Sequence, residues 1–213
     1  MTTASELFTN ARTTQLGDPD GVTWPNAAMI VAFNQAMRLL ILKRPDAASK
    51  IATLNLKKGT RQFIPDDGVR LLRVVRNIKT DGSIGRAIRP VSMSALDSMA
   101  PDWHQITGTI VDEFCFDPQS PKHFYVYPAP AADNAVKIDI EYAAMPANIS
   151  KETLDDELPF DSVYDQPLIE FMLYKLLSGD NAQGQSSGVH LKTALDLIDV
   201  KSVSDVNSSP AKE

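Results

Sequence analysis

The strongest periodic stretch runs from Thr23 to Pro45, TWPNAAMIVAFNQAMRLLILKRP. Ile30, Phe33, Met37, Leu40 and Ile41 recur at helical spacing, which predicts a helix with one apolar face. Thr23 is placed to cap its start, and Pro25 falls in the first turn, where a missing N–H costs little. Lys43 and Arg44 sit in the last turn, where the helix dipole favours cations, and Pro45 ends the helix. A large apolar side chain gains about 1.5–3 kcal/mol on full burial, so this face requires a partner. Matching patterns lie at the other end of the chain. Leu168, Phe171, Met172 and Leu176 define a helix over 165–177, with Asp165 as its cap and Gly179 just past its end. Leu191, Leu195 and Ile198 define a last helix over 189–203, and Leu7, Phe8 and Ala11 a short first one over 4–15.

Between these helices the period changes. Strands are expected over 50–56, with Ile51, Leu54 and Leu56 available for burial, and over 61–64. Lys57-Lys58-Gly59 and Asp66-Asp67-Gly68 are the turns beside them. Val69–Lys79, VRLLRVVRNIK, fits two patterns. Leu71, Val74, Val75 and Ile78 match a helix face, while the adjacent valines and the bounding turns match a strand, and a strand is the prediction. A short helix over 92–99 stops before Pro101. Ile110–Phe116 and His123–Tyr127 flank a five-residue connection, Asp117–Pro121, suited to a hairpin. Val136, Ile138, Ile140 and Tyr142 alternate with Lys137, Asp139 and Glu141, as in a half-buried antiparallel strand. Pro146 closes it.

The order is helices, then strands, then helices. That order predicts an α+β protein: a small helical bundle of residues 1–48 and 147–205, carrying an inserted antiparallel β-sandwich-like domain over 49–146. Ala182–Gly188, AQGQSSG, reads as a flexible joint and 206–213 as a flexible tail.

Composition narrows the class without naming a function. A hydrophobic content of 43% and a charged content of 23% describe a folded chain, and the net charge of −6 argues against a general nucleic-acid binder. One cysteine, Cys115, allows no intramolecular disulfide, which fits a reducing compartment. The N-terminus has no apolar core of a secretory signal, and Asn34, Gln35 and Arg38 interrupt the longest apolar run. The chain is therefore expected to be soluble and to have no membrane partner.

Candidate chemistry is sparse. His104, His123 and His190 have no Cys or His partner at ligand spacing, and no HExxH is present. Gly17-Asp18-Pro19-Asp20-Gly21 resembles the start of a calcium loop but lacks the later ligands, so an ordinary turn is expected. There is no G-x-S-x-G elbow, and Gly82-Ser83-Ile84-Gly85 lacks the context of a phosphate loop. Cys115, between Phe114 and Phe116, reads as a strand residue. Asp155-Asp156-Glu157 reads as a solvated approach to a helix. The one marked charge feature is residues 57–89, with nine basic and three acidic side chains. Its net charge of +6 leaves −12 for the remainder. It is either a solvated sheet face or a surface that meets an acidic protein or a DNA backbone.

Several short pieces follow one another in order: Gly59-Thr60-Arg61-Gln62-Phe63-Ile64-Pro65, Val74-Val75-Arg76-Asn77, Leu96-Asp97 with Pro101-Asp102-Trp103, Phe116-Asp117, and Phe124-Tyr125-Val126-Tyr127-Pro128. Tyr142 with Pro146, and Leu158-Pro159 ahead of Tyr164, Leu173-Tyr174 and Asp180, complete the set. Together they cover roughly residues 24–180, and the ordered set resembles the head–tail connector proteins of tailed bacteriophages, of the adaptor or tail-tubular type. The resemblance implies a structural virion protein with no catalytic residue, no metal and no cofactor. It implies a ring, commonly of twelve copies, at the head–tail junction of the virion and assembled in the bacterial cytoplasm. The implied partners are the portal protein, a tail or nozzle protein, and genomic DNA that passes through the lumen without sequence-specific binding.

On this basis Arg70, Arg73, Arg76 and Lys79 are candidate contacts between copies. Asp117, Gln119 and Ser120 in the hairpin connection, and Val203, Asp205 and Lys212 near the C-terminus, are candidate contacts with portal or tail. Two other classes stay open. One is a nucleic-acid-binding module using 57–89, which predicts steeply salt-dependent DNA affinity. The other is a carbohydrate- or receptor-binding β module using Trp103, Tyr125 and Tyr127, for which core or hairpin packing is the competing role.

Overall fold

The computed structural model describes residues 2–117, 119–179 and 184–208. In chain order it contains α1 Ala4–Ala11, continued by a π-helical turn Arg12–Leu16, then α2 Asn26–Lys43, β1 Ser49–Asn55, β2 Arg61–Phe63, β3 Gly68–Ile78, β4 Ile84–Ala87 and β5 Arg89–Pro90. There follow α3 Met93–Met99, β6 Thr107–Gly108, β7 Glu113–Cys115, β8 His123–Tyr127, β9 Ala129–Pro130, β10 Lys137–Ala144, α4 Asp165–Leu177 and α5 Gly184–Ser208. The fold is α+β. The chain forms two compact units, one of Met1–Ala47 with Pro146–Glu213 and one of Ala48–Met145.

In the helical unit the central element is α4, on which α1, α2 and α5 all pack. The expected stripe of Leu168, Phe171, Met172 and Leu176 is buried, and so are Ile169, Leu173 and Leu177. A helix that is apolar all round is a buried one. α2 buries Met29, Phe33, Met37, Leu40 and Ile41 together with Ala32 and Ala36. These alanines occupy the buried face, and Ile30 is only half-buried. Phe8 of α1 meets Phe33 edge-to-face, with ring centroids 5.5 Å apart.

Several local expectations are corrected here. Thr23 does not cap α2. Pro25 holds the N-cap position in extended conformation, with no side-chain cap. Asp165 is the first residue of α4 rather than its cap, and its Oδ2 accepts a 2.7 Å bond from the Thr2 hydroxyl. The aspartate loop at 17–21 is a backbone staple. Buried Asp18 accepts from the N–H groups of Val22, Thr23 and Trp24 at 2.9, 3.0 and 2.7 Å. These donors, Trp24 foremost, hold its carboxyl below the ordinary value of 3.8. The joint expected at 182–188 is helical from Gly184 onward, and α5 runs on through Ser208 into the expected tail. Residues 182, 183 and 209–213 lie outside the described residues.

The β unit contains a four-stranded antiparallel sheet in the order β1-β10-β3-β4, and a second sheet, β2-β8-β7-β5. β7 and β8 form the expected hairpin. Short parallel pairings, β5 with β7 and β6 with β9, were not expected. Leu56, Leu71, Val74, Phe114, Phe124, Val126, Ile138 and Ile140 belong to one apolar core. Ile51 is 67% exposed, contrary to expectation, because its position on β1 lies on the outer face.

β3 explains its own ambiguous pattern. The residues Val74, Leu71 and Gly68 of β3 oppose Ile140, Tyr142 and Ala144 of β10. Three-residue steps on β3 thus match two-residue steps on β10. The surplus residues Val75, Leu72 and Val69 are bulges, and a bulge lets one strand carry an extra residue while the pairing continues. Buried Leu71, Val74 and Asn77 are therefore spaced by three, which imitates a helix.

Candidate assembly interface

The outer face of the first sheet carries the basic segment, and register decides which charges are matched. Thr53, Asp139 and Arg76 lie side by side across β1, β10 and β3, and Ile51, Glu141 and Arg73 form the next row. Arg76 Nε donates to Asp139 Oδ2 at 2.8 Å, and the Thr53 hydroxyl donates to Asp139 Oδ1 at 2.6 Å. Arg73 pairs with Glu141. Asp139 is buried, as β10 lies between two strands and its outer face is covered from both sides. Arg70 lies opposite Ala143 in the following row, so no carboxylate faces it there.

Elsewhere Arg86 pairs with Asp112 at 2.9 Å and Arg89 with Glu113 at 2.8 Å. Four of the nine basic side chains in 57–89 thus have carboxylate partners from outside that segment. The β unit carries twelve basic and eleven acidic residues, net +1, and the helical unit is net −7. The +6 of the linear segment is largely cancelled by Asp112, Glu113, Asp139 and Glu141, which the fold brings to it.

The remaining candidates are distributed as follows. Lys79 is exposed just beyond β3. Asp117 Oδ1 accepts from the Gln119 N–H at 2.9 Å, and its carbonyl accepts from the Ser120 N–H at 2.9 Å, so it shapes its own connection. Gln119 is exposed. Val203 and Asp205 fall on the last turns of α5, where side chains are not among those described, and Lys212 lies outside the described residues. The two candidate groups of the β unit meet at one point, where the Leu71 N–H of β3, next to Arg70, donates to the Pro121 carbonyl, next to Ser120, at 3.0 Å.

The pieces that carry the resemblance are mostly braces. Gln62 is buried and clamps the turn before it, accepting from the Lys57 N–H and donating to the carbonyls of Lys57 and Gly59, each at 2.8 Å. Gly59 has φ +95°, open to glycine and strained for other residues. Asn77 is buried and donates to the carbonyls of Val111 and Arg86 while accepting from the Val111 N–H. Trp103 is fully buried and donates to Asp97 at 2.9 Å, which removes it as a surface contact for a sugar. Tyr142 donates to Asp67, whose other oxygen meets Lys50.

Among the described residues the groups with candidate chemistry are engaged in packing. Cys115 is buried, and burial, aided by Asp97, pushes its thiol up to about 11. His104 stacks on Trp103 with centroids 3.7 Å apart and bonds Thr60. Among the described residues no group of three His, Cys, Asp or Glu side chains could hold a metal ion. No described helix is long and apolar enough to cross a membrane.

Sequence reasoning missed two features. One is a polar cluster in the helical unit, where buried Glu170 of α4 accepts from Gln166 at 2.7 Å and meets His190 of α5 at 2.7 Å. Its only signal was a glutamate amid the apolar residues of α4. The other is a group of lysines at one end of the first sheet, Lys57, Lys58, Lys79 and Lys137. Strand register alone places them together, because Lys137 pairs with both Asn55 and Ile78.

The distinctive residues brace backbone, and the described surface of the first sheet is patterned by paired charge. The family comparison gives the particular family: the SU10 adaptor protein family matches residues 2–212, and the chain belongs to this family of phage head–tail adaptors. No curated protein matches the chain. Membership makes it a structural component of the phage virion that associates with other head or tail proteins.

Proposed function

We propose that copies of this chain assemble into a closed ring, commonly of twelve, between the portal of the filled head and the tail, and that DNA passes through its centre. The observation that carries this reading is family membership across residues 2–212. The charge distribution supports it. A ring needs heterologous lateral faces that close by rotation, and a helical unit of net −7 and a β unit of net +1 offer unlike surfaces to neighbouring copies. The two units act as separate domains. Arg70 and Lys79, which no salt bridge holds among the described residues, remain the members of the basic group available to a neighbour. Asp117, Gln119, Ser120 and the C-terminal residues Val203, Asp205 and Lys212 serve the axial contacts with portal or tail. The chain works by docking and not by catalysis.

Co-sedimentation with portal particles tests the reading. The full chain is expected to pellet with portal at a fixed ratio. A chain that stays in the supernatant in the presence of portal and its neighbouring virion proteins overturns it.

A further inference from the structure

The four lysines at the end of the first sheet form a surface on which no salt bridge holds any of them among the described residues. Lys57 and Lys58 follow β1, Lys137 begins β10 and Lys79 follows β3, so all four leave the sheet at one end. All are exposed. Two acids at this end, Asp81 near Lys79 and Asp133 near Lys58, offset part of the charge and leave the end net positive. Asp133 accepts from the Lys58 N–H, and Asp81 accepts from the N–H and hydroxyl of Ser83. Beside the lysines lies a cleft of about 490 Å³ whose lining includes Ile78, Lys79, Arg86, Ile110 and Val136. Apolar surface is exposed here too, with Ile110 of the lining 48% exposed and Ile84, the strand partner of Ile78, 62%.

The complementary surface is in the helical unit. Asp155, Asp156 and Glu157 are exposed, and none of the three is in a salt bridge among the described residues. Their loop is held at both ends. The Ser5 N–H donates to the Leu154 carbonyl at 3.0 Å, the Leu158 N–H donates to the Thr2 carbonyl at 3.0 Å, and Thr3 bridges Glu157. The carboxylates are thus presented on a fixed backbone, which reduces the ordering cost of a contact.

We propose that the lysine-rich end of the β unit, with its cleft, docks the acidic loop 152–157 of a second copy of this chain. The inference rests on the ring reading and deepens it by naming the two halves of a heterologous contact. Charge complementarity selects the occupant, since the four-lysine end belongs to the β unit and the run of three exposed carboxylates to the helical unit. The exposed apolar surface of Ile84 and Ile110 suits a protein surface better than a phosphate backbone. The contact replaces the pairing expected of Arg73 and Arg76, which are satisfied within the chain.

Sedimentation velocity of the full chain, alone and with portal, at low and high salt, reads the contact. Lys57→Glu with Lys58→Glu, and separately Asp155→Lys with Asp156→Lys, are each expected to weaken assembly about tenfold or more. Equal mixing of the two variants restores it, because each contact in an alternating ring again sets plus against minus. All four side chains are exposed, and unchanged melting of each variant checks that the fold survives. Wild-type assembly by either variant, or no recovery on mixing, overturns the contact and leaves the ring standing. A wild-type chain that stays monomeric under every condition overturns both. Lysine variants that assemble normally but lose affinity for duplex DNA assign these lysines to phosphate and overturn the proposal.

Discussion

The two units of this protein are held together by different means. In the helical unit the interior around α4 is mostly apolar volume, with the buried Glu170 and its partners Gln166 and His190 as the polar exception. Other polar staples sit where loops meet helices. Asp18 holds residues 22–24, and Asn34 exchanges two bonds with the backbone of Ile149. In the β unit the staples are inside. Gln62, Asn77 and Asp139 are buried, and each holds a specific backbone or side-chain partner. Buried polar groups are costly when unpaired, so these positions demand one residue type, whereas an apolar position accepts several of similar size. Gln62 and Asn77, two such positions, belong to the pieces that resemble the connector family.

The contrast can be broken by substitution. The largest effect is expected in the helical unit, where Phe171→Ala should cost about 3–5 kcal/mol in chemical denaturation. Phe171→Leu should recover most of it, because volume is what that position supplies. Asn77→Ala should cost about 2–3 kcal/mol by leaving the Val111 N–H and two carbonyls unpaired. Here Asn77→Leu should not recover the loss, because chemistry and not volume is missing. Recovery at both positions, or at neither, would erase the distinction between the units.

Asp18→Asn gives the smallest effect and sharpens the account of loop staples. The folded carboxyl is held below its ordinary value of 3.8, so its stabilisation is present above that pH and fades as pH falls through the folded value. The melting temperature of the variant should therefore lie below that of the native chain at neutral pH, and the gap should start to shrink only as pH falls below 3.8 toward the folded value. A gap that persists undiminished at pH 2 would mean that the loop is held by something other than this charge.

How much of this was legible follows from where each feature is encoded. α2, α4 and β10 are read from local periodicity, and periodicity is a local quantity. β3 is legible as a strand through its valines and bounding turns, but its bulges are not, because the pitch of β3 is set by its partner β10. The central place of α4 was hidden for a related reason. Ile169 and Leu173 extend a stripe only if helices lie on every side. Arg73 and Arg76 look free in the linear segment because Glu141 and Asp139 are more than sixty residues away and arrive only through strand register. The same register assembles Lys57, Lys58, Lys79 and Lys137 from three separate stretches.

The central claim is that this chain is a ring-forming adaptor of the phage head–tail junction. The most direct test is the mass of portal particles before and after saturation with the purified chain, measured by light scattering. The account predicts an added mass equal to a whole-number multiple of 23.3 kDa, the same in every preparation and lost at high salt when the lateral contact is electrostatic. An added mass that rises without a plateau, or none at all with the neighbouring virion proteins present, would contradict it.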